Sequence, residues 1–255
     1  MSNISTLKTK SSHAPDEWQM RVDLAAAFRL AVRNDWHEGV ANHFSQAVSP
    51  DGRTFLMNPR WRHFQRIKAS ELLLLDASDN STMDRPDAPD LTAWCLHGRL
   101  HAALPQARCI LHVHPVYGTV IASLANPEIL PIDLKTARFF NRIAFDVDCS
   151  GMANSDEEGD RLAGLMGNKR IMIMGNHGVL VCAPSVAEAY DELFYLERAC
   201  RNLVLAYQTG QKLHVMSAAV AEKTAQEWED YGAMAEAHFE EMKAILDGED
   251  GSYAE

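Results

Sequence analysis

The sequence predicts a single α/β domain, because segments with helical spacing of apolar residues alternate along the chain with short strand-like segments. The chain has 255 residues, of which 47% are hydrophobic and 23% are charged, which is typical of globular proteins. A chain of this length can bury one large core without disulfide bonds. We expect one domain over residues 15–247, a disordered N-terminal arm over 1–14 and a flexible C-terminal tail over 248–255.

The N-terminal half contains two helical patterns with strands between them. Apolar residues at helical spacing follow a proline start signal over 15–34 and predict a helix. Two short strands are predicted within 41–58, on either side of a turn at 49–52. Residues 76–90 are polar and are expected to form a surface loop. A further helix is predicted over 92–103, before a proline.

The C-terminal half repeats the alternation of strands and helices. Residues 108–114 alternate as a strand, and a proline then opens a helix that reaches about residue 124. Two strands are predicted within 171–181, joined by a tight turn. A helix begins after Ser185, and a last helix is predicted over 220–246.

Charge and cysteine content exclude several classes of partner. The formal net charge of −11 disfavours nucleic acids and anionic membranes, and no apolar run is long enough to span a bilayer. The five cysteines are scattered and lack a C-x-x-C spacing, which favours reduced thiols in the cytoplasm. We therefore expect a cytoplasmic protein whose ligand is a small molecule.

Three histidines form a candidate metal site. His112 and His114 lie on one face of the predicted strand, about 7 Å apart along the backbone, so both rings can reach one ion. His177 lies in the predicted turn and is the best candidate for a third ligand. Zn²⁺ suits such a site, and Mn²⁺, Fe²⁺ or Co²⁺ use the same ligand type. The alternative is that these histidines only satisfy hydrogen bonds in a core.

Several short segments, taken in order, resemble the class II aldolase/adducin family over roughly residues 24–210: Asn42-His43-Phe44-Ser45, His97, Leu111-His112-Val113-His114-Pro115, Asn176-His177-Gly178-Val179-Leu180-Val181 and Leu196-Glu197-Arg198-Ala199. The resemblance implies a three-layer α/β/α sandwich around a mostly antiparallel mixed sheet. It also implies a divalent metal on the three histidines. A homotetramer with active sites between neighbouring subunits is implied as well.

The chain departs from the family pattern where a sugar phosphate and a general base are expected. The family's acid/base Glu corresponds to Ala93, and its phosphate-binding pair to Leu91 and Thr92. The glycine of a second phosphate-binding turn is replaced by Trp61, and bare backbone is no longer available there. An unphosphorylated substrate is therefore expected.

The resemblance leaves four candidate substrate-binding residues. Asn42 and Ser45 match the family's phosphate-binding set, and Thr92 occupies one of its positions. Arg60, in the altered turn, is suited to bind a carboxylate, as is the neighbouring Arg62.

Two histidines can replace the missing Glu as acid/base residues. His97 and His101 lie four positions apart on the predicted helix, on the same face as Ala93, and imidazole suits proton transfer near neutral pH. Asp90 is a further candidate. The alternative is that His97 is a buried structural residue and that His101 faces solvent.

The leading functional prediction is a metal-dependent lyase. It would act by aldol cleavage or decarboxylation on a small unphosphorylated hydroxy- or keto-acid, through a metal-stabilised enolate. A second hypothesis is a non-catalytic binding or scaffolding domain similar to the adducin head, which the loss of the Glu favours. A third is a non-haem iron oxygenase on the same fold, which Ala93 opposes because it removes a carboxylate that a two-His-one-carboxylate site would use.

Overall fold

Among residues 15–148, 151–152 and 154–255, which the computed structural model describes, strands form one seven-stranded sheet. The strands are β1 His43–Ala47, β2 Thr54–Met57, β3 Leu73–Asp76, β4 Cys109–Val113, β5 Ile143–Asp146, β6 Ile171–Met174 and β7 Gly178–Ala183. Their order is β3-β2-β1-β4-β7-β6-β5. Only β5 and β6 pair in parallel, so the predicted mostly antiparallel mixed sheet is confirmed.

Helices cover both faces of the sheet. They are α1 Pro15–Arg33, α2 Leu91–Ala103, α3 Val116–Ala122, α4 Leu134–Ala137, α5 Asp156–Met166, α6 Val186–Gln208, α7 Ala218–Glu229 and α8 Ala233–Asp250. Helices α1, α6 and α8 share one hydrophobic cluster with the sheet, and α2 and α5 share another on the opposite face. The predicted three-layer α/β/α sandwich is confirmed.

The alternation of strand β4 sorts its side chains between these two cores. Leu111 and Val113 lie in the cluster with α1 and α6, whereas Ile110 lies in the cluster with α2 and α5. Successive side chains of a strand point to opposite faces. His112 therefore shares the face of α2, as the strand pattern predicts.

The hairpin between β1 and β2 packs tightly against α2. Gly52 in its turn has a φ of +74°, and a Cβ there would lie 2.1 Å from the carbonyl oxygen of His101. Only glycine meets both demands without strain. The predicted turn at 49–52 thus holds the start of the sheet against the helix that carries the candidate acid/base histidines.

The C-terminal region differs from the sequence prediction. The helix expected over 220–246 is two helices, α7 and α8, which are interrupted near Gly232, a weak helix former. In place of a flexible tail over 248–255, α8 continues to Asp250 and a 3₁₀ turn buries Tyr253, whose hydroxyl donates to Asp247. The predicted arm over 1–14 lies outside the described residues.

No helix in the described part of the chain combines the length and apolar character needed to cross a membrane. Four of the cysteines, namely Cys95, Cys109, Cys182 and Cys200, are buried and free. Cys149 lies outside the described residues.

Candidate metal centre

The three candidate ligands meet at one end of the central strands. His112 is on β4, His114 follows that strand directly, and His177 lies in the turn between β6 and β7. Because β7 pairs with β4, this turn lies beside the end of β4. The ring centroids are 4.7 to 5.0 Å apart, and one nitrogen of each ring lies within 4.8 Å of the others.

Hydrogen bonds fix which nitrogen two of these rings offer. His112 Nδ1 donates to the carbonyl oxygen of Val179 at 3.1 Å, and His114 Nδ1 bonds to the carboxylate of Glu38. The two Nε2 atoms therefore face each other, 3.2 Å apart. Burial lowers the pKa of His112 well below its usual value, which favours the neutral ring that binds metals.

The residues fit a divalent cation. Tetrahedral Zn²⁺ with Zn–N bonds of about 2.0–2.1 Å separates its ligand nitrogens by roughly 3.3 Å. The spacing of the two Nε2 atoms is 3.2 Å. A single proton between these two Nε2 atoms would bridge only two of the rings, whereas a cation can also bind a nitrogen of His177. The pKa of His177 is also lowered by burial and by His114, which again favours a neutral ligand.

Gly178 permits the close approach of β7 to this site. A Cβ at that position would lie 2.5 Å from His114 Cδ2 and 2.7 Å from the carbonyl oxygen of Val113. Contacts this short do not occur between real atoms without movement of one partner. The glycine that follows His177 is therefore needed to bring the turn onto the β4 histidines.

A second group of histidines forms a continuous hydrogen-bond chain next to the triad. His43 Nδ1 contacts His97 Nε2 at 2.7 Å, and His97 Nδ1 contacts the hydroxyl of Ser45 at 2.5 Å. The same hydroxyl contacts His101 Nε2 at 2.7 Å. His101 Nδ1 donates to the carbonyl oxygen of Ala107 at 2.5 Å.

The rings of this chain are buried, and burial favours their neutral form. Burial lowers the pKa of His43 to about 3 and that of His101 to about 4. Burial and the two flanking histidines lower the pKa of His97 well below its usual value. Charged imidazolium is therefore disfavoured throughout the chain.

The predicted catalytic residues His97 and His101 lie on one helix face, as expected, but inside the protein. Both nitrogens of each ring are engaged in the hydrogen-bond chain, so neither ring offers a free nitrogen to the triad. The alternative in which His101 faces solvent is wrong, because only 4% of it is exposed. Ala93 is buried in a small apolar cluster with Phe55 and Met57.

Two of the candidate substrate-binding residues are occupied by internal contacts. The Ser45 hydroxyl belongs to the histidine chain. The Thr92 hydroxyl donates to Asp90, which caps the start of α2. Asn42 differs, because its buried side-chain oxygen and nitrogen have no hydrogen-bond partner among the described residues. Such atoms favour a bound polar group at that place.

The half-buried Arg60 and the exposed Trp61 form a pair at the same end of the sheet. The turn that contains them follows β2, and β2 runs antiparallel to β1, whose first residue is His43. The Arg60 guanidinium lies 4.6 Å from the centre of the Trp61 ring. Trp61 has a φ of +59°, in the left-handed region that favours glycine, so the backbone of this turn keeps a conformation suited to the family's glycine.

Three residues of the site were missed from the sequence. His43 pairs with His112 across β1 and β4, and alternation with Ser45 in the strand was a usable signal for it. Glu38 bonds to His114 from a loop that no sequence pattern places there. Glu197 accepts hydrogen bonds from the backbone N–H groups of Tyr117 and Gly118 at the start of α3.

A large cavity in the described part of the structure lies elsewhere. Its volume is about 600 Å³, and Arg138, Asp191 and Trp228 are among its lining residues. Ile171, at the opposite end of β6 from His177, also lines it. Arg138 is paired with Asp191 there, so the cavity lacks a free cationic group at this position. We regard the triad as the candidate site on chemical grounds.

Comparison with known proteins identifies the family. Residues 22–204 match the family model described as the class II aldolase and adducin N-terminal domain. The chain belongs to the class II aldolase and adducin family. The sequence resemblance is therefore confirmed.

Relatives in this family include both aldolase-named proteins and adducins. A protein of Pseudomonas aeruginosa named after the class 2 aldolases is 33% identical over 77% of this chain and 75% of its own. Human beta-adducin is 27% identical over 81% of this chain but only 29% of its own length. The family membership alone therefore leaves both an enzymatic and a non-enzymatic role open.

Solved structures share the fold over nearly the whole chain. An aldolase II superfamily protein from Pseudomonas syringae superposes with a TM-score of 0.85, at 29% identity, over 96% of this chain and 98% of that one. An L-fuculose 1-phosphate aldolase from Glaciozyma antarctica gives a TM-score of 0.78 at 20% identity, over 93% and 92% of the two chains. At 20% identity, the likeness to the Glaciozyma antarctica aldolase shows only that the two chains share a fold.

Proposed function

We propose that this protein is a metal-dependent carbon–carbon lyase that acts on a small, unphosphorylated hydroxy- or keto-acid by aldol cleavage or decarboxylation. The observation that carries the proposal is the convergence of His112, His114 and His177, two of them with hydrogen bonds that turn Nε2 inward. A divalent cation held there supplies Lewis-acid catalysis at the carbonyl and hydroxyl oxygens of a substrate. Zn²⁺ is the proposed ion, with Mn²⁺, Fe²⁺ and Co²⁺ as alternatives of the same ligand preference.

The surroundings of the triad favour an unphosphorylated acid. Thr92 is bonded to Asp90, whose carboxylate repels a phosphate. Arg60, on the Trp61 ring, offers a planar guanidinium that suits a substrate carboxylate. The unpartnered amide of Asn42 is the proposed contact for a second polar group of the substrate.

Two further features of the proposal follow from the family resemblance. We expect a homotetramer in which neighbouring subunits complete each active site, and light scattering on the purified chain tests this. The proposed compartment is the cytoplasm, where the buried thiols of Cys109, Cys182 and Cys200 stay reduced.

Turnover of a substrate panel tests the proposed reaction. Zinc-loaded protein is incubated with small hydroxy- and keto-acids, and carbonyl products and CO₂ are detected. Products are expected with wild type and with the control His214→Ala, an exposed histidine that is not part of the triad, and they should disappear with His177→Ala. Equal product formation by His177→Ala and wild type would contradict the proposal.

A scaffolding role similar to that of adducin is the second candidate. The observation that favours it is Ala93, which fills the position of the family Glu and packs against Phe55. Human beta-adducin is also 27% identical over 81% of this chain. Purified protein that takes up no metal would support the scaffold and oppose the lyase.

The oxygenase hypothesis receives less support. The candidate metal-binding group among the described residues consists of three histidines and contains no carboxylate. Glu38, the acid bonded to the triad, contacts His114 through Nδ1, on the side of the ring away from the other ligands. A two-His-one-carboxylate arrangement is therefore not favoured. Oxygen consumption by iron-loaded protein would reverse this ranking.

A further inference from the structure

One nitrogen at the end of the histidine chain is available to a ligand. His43 Nδ1 is bonded to His97, whereas His43 Nε2 makes no hydrogen bond to the described residues, and 8% of His43 is exposed. The ring of His43 lies 4.8 Å from that of His112, its partner across the sheet. The free nitrogen therefore lies one ring away from a candidate metal ligand.

The far end of the chain fixes the direction of every hydrogen bond in it. A carbonyl oxygen can only accept, so His101 donates from Nδ1 to Ala107 and, as a neutral ring, keeps Nε2 as an acceptor. Ser45 then donates its single hydroxyl proton to His101 and accepts from His97 Nδ1. His97 Nε2 is left as an acceptor for the Nδ1–H group of His43.

We infer that this chain holds His43 in the Nδ1–H tautomer, so that its bare Nε2 accepts a hydrogen bond from a hydroxyl group of the substrate. The inference rests on the proposed function and specifies one requirement of its substrate. Ser45, His97 and His101 are then positioning residues that act through His43, rather than substrate-binding or acid/base residues.

A bare imidazole nitrogen discriminates between substrate groups. It accepts a hydrogen bond from a hydroxyl, but it repels a carboxylate or phosphate oxygen, since these oxygens only accept. The carboxylate of Asp90, which interacts electrostatically with His43, adds to the repulsion of an anion. His43 therefore selects the hydroxyl-bearing part of the substrate, and its carboxylate must bind elsewhere, as Arg60 allows.

The tautomer is measured directly by ¹⁵N nuclear magnetic resonance of the histidine rings in the full-length protein, metal-free and zinc-loaded. Wild type is expected to show His43 as the Nδ1–H tautomer in both states. Ser45→Ala interrupts the hydrogen-bond chain, so a fraction of His43 should adopt the Nε2–H tautomer. The exposed control Ser78→Ala should leave the tautomer of His43 unchanged. An Nε2–H tautomer in wild type would overturn the inference without any variant.

A pair of simple ligands tests the selection. Glycolate and acetate differ by one hydroxyl, and their dissociation constants for zinc-loaded protein are measured by calorimetry. His43→Phe is expected to reduce the preference for glycolate about tenfold, the usual effect of one lost hydrogen bond. Metal content is measured in the same samples. An unchanged preference at full metal content overturns the role of His43, whereas absence of metal from wild type overturns the proposed function instead.

Discussion

The Nε2 atoms of His112 and His114 lie 3.2 Å apart, while the Nδ1 atom of each ring is bonded in another direction. Two acceptor nitrogens at this distance need a proton or a cation between them. His177 brings a third ring nitrogen to the same place, so one cation can bind all three histidines. The metal site is thus supported by the hydrogen bonds around the histidines as well as by their proximity.

Glu38→Ala is expected to weaken metal binding without unfolding the protein. The Glu38 carboxylate is bonded to His114 Nδ1, and loss of such a partner typically lowers metal affinity about 10–100-fold. Zinc affinity is measured by competition with a chelator. Glu227→Ala is the matched control, because the side chains of both acids are 63% exposed. Equal affinities in the two variants would contradict the positioning role.

Gly178→Ala is expected to disturb the site and the sheet together. The added Cβ would lie 2.5 Å from His114 Cδ2, so either the ring or β7 must move. We expect a loss of about 1–3 kcal/mol in the free energy of unfolding, together with weaker zinc binding. Gly164→Ala, at an exposed position of α5 with no atom within 4 Å of the new Cβ, should be neutral or slightly stabilising. Similar unfolding curves for both variants would argue against this close approach.

The ionisation of Glu197 predicts a pH dependence of stability. Burial raises the pKa of Glu197 from 4.5 to about 7, despite the N–H groups of Tyr117 and Gly118 that favour the charged form. The folded protein therefore holds this proton more tightly than the unfolded chain, and the free energy of unfolding falls as pH rises from 4.5 to about 7. The expected contribution is about 3 kcal/mol.

Urea denaturation of wild type and Glu197→Gln across this pH range isolates the effect. The neutral variant lacks the ionisation, so the stability of wild type relative to Glu197→Gln should decrease as pH rises. A relative stability that increases with pH would show that the backbone N–H groups outweigh burial and that the pKa of Glu197 is lowered instead.

Tyr253→Ala tests whether the C-terminal segment belongs to the core. Tyr253 is 1% exposed and its hydroxyl donates to Asp247, so its truncation should lower the free energy of unfolding by about 3–5 kcal/mol. Tyr231→Ala is the control, since that side chain is 68% exposed and should have little effect. A flexible tail would make the two variants equally stable.

The parts of the fold with strong local patterns were predictable from sequence. The helices α1 and α2, strand β4 and the hairpin turn before Gly52 follow from apolar periodicity and turn residues. Strands β3 and β5 were not predicted, because short apolar runs carry no distinct period. The burial of Tyr253 depends on contacts with distant segments, which a local pattern at the chain end does not reveal.

The sequence predicted which residues form the site better than it predicted what each residue does there. The convergence of His112, His114 and His177 follows from strand geometry and family resemblance. The helix spacing also placed His97 and His101 correctly on one face. Their engagement by Ser45 and Ala107 depends on how α2 packs on β1, and no local rule gives that packing. The free nitrogen of His43 was missed for the same reason.

Metal analysis of purified protein tests the central claim most directly. Wild type, His112→Ala, His177→Ala and the exposed control His214→Ala are loaded with Zn²⁺, desalted and measured by inductively coupled plasma mass spectrometry. We predict near-stoichiometric metal in wild type and His214→Ala, and its loss from both triad variants. Equal metal content in all four proteins would contradict a site built from these histidines.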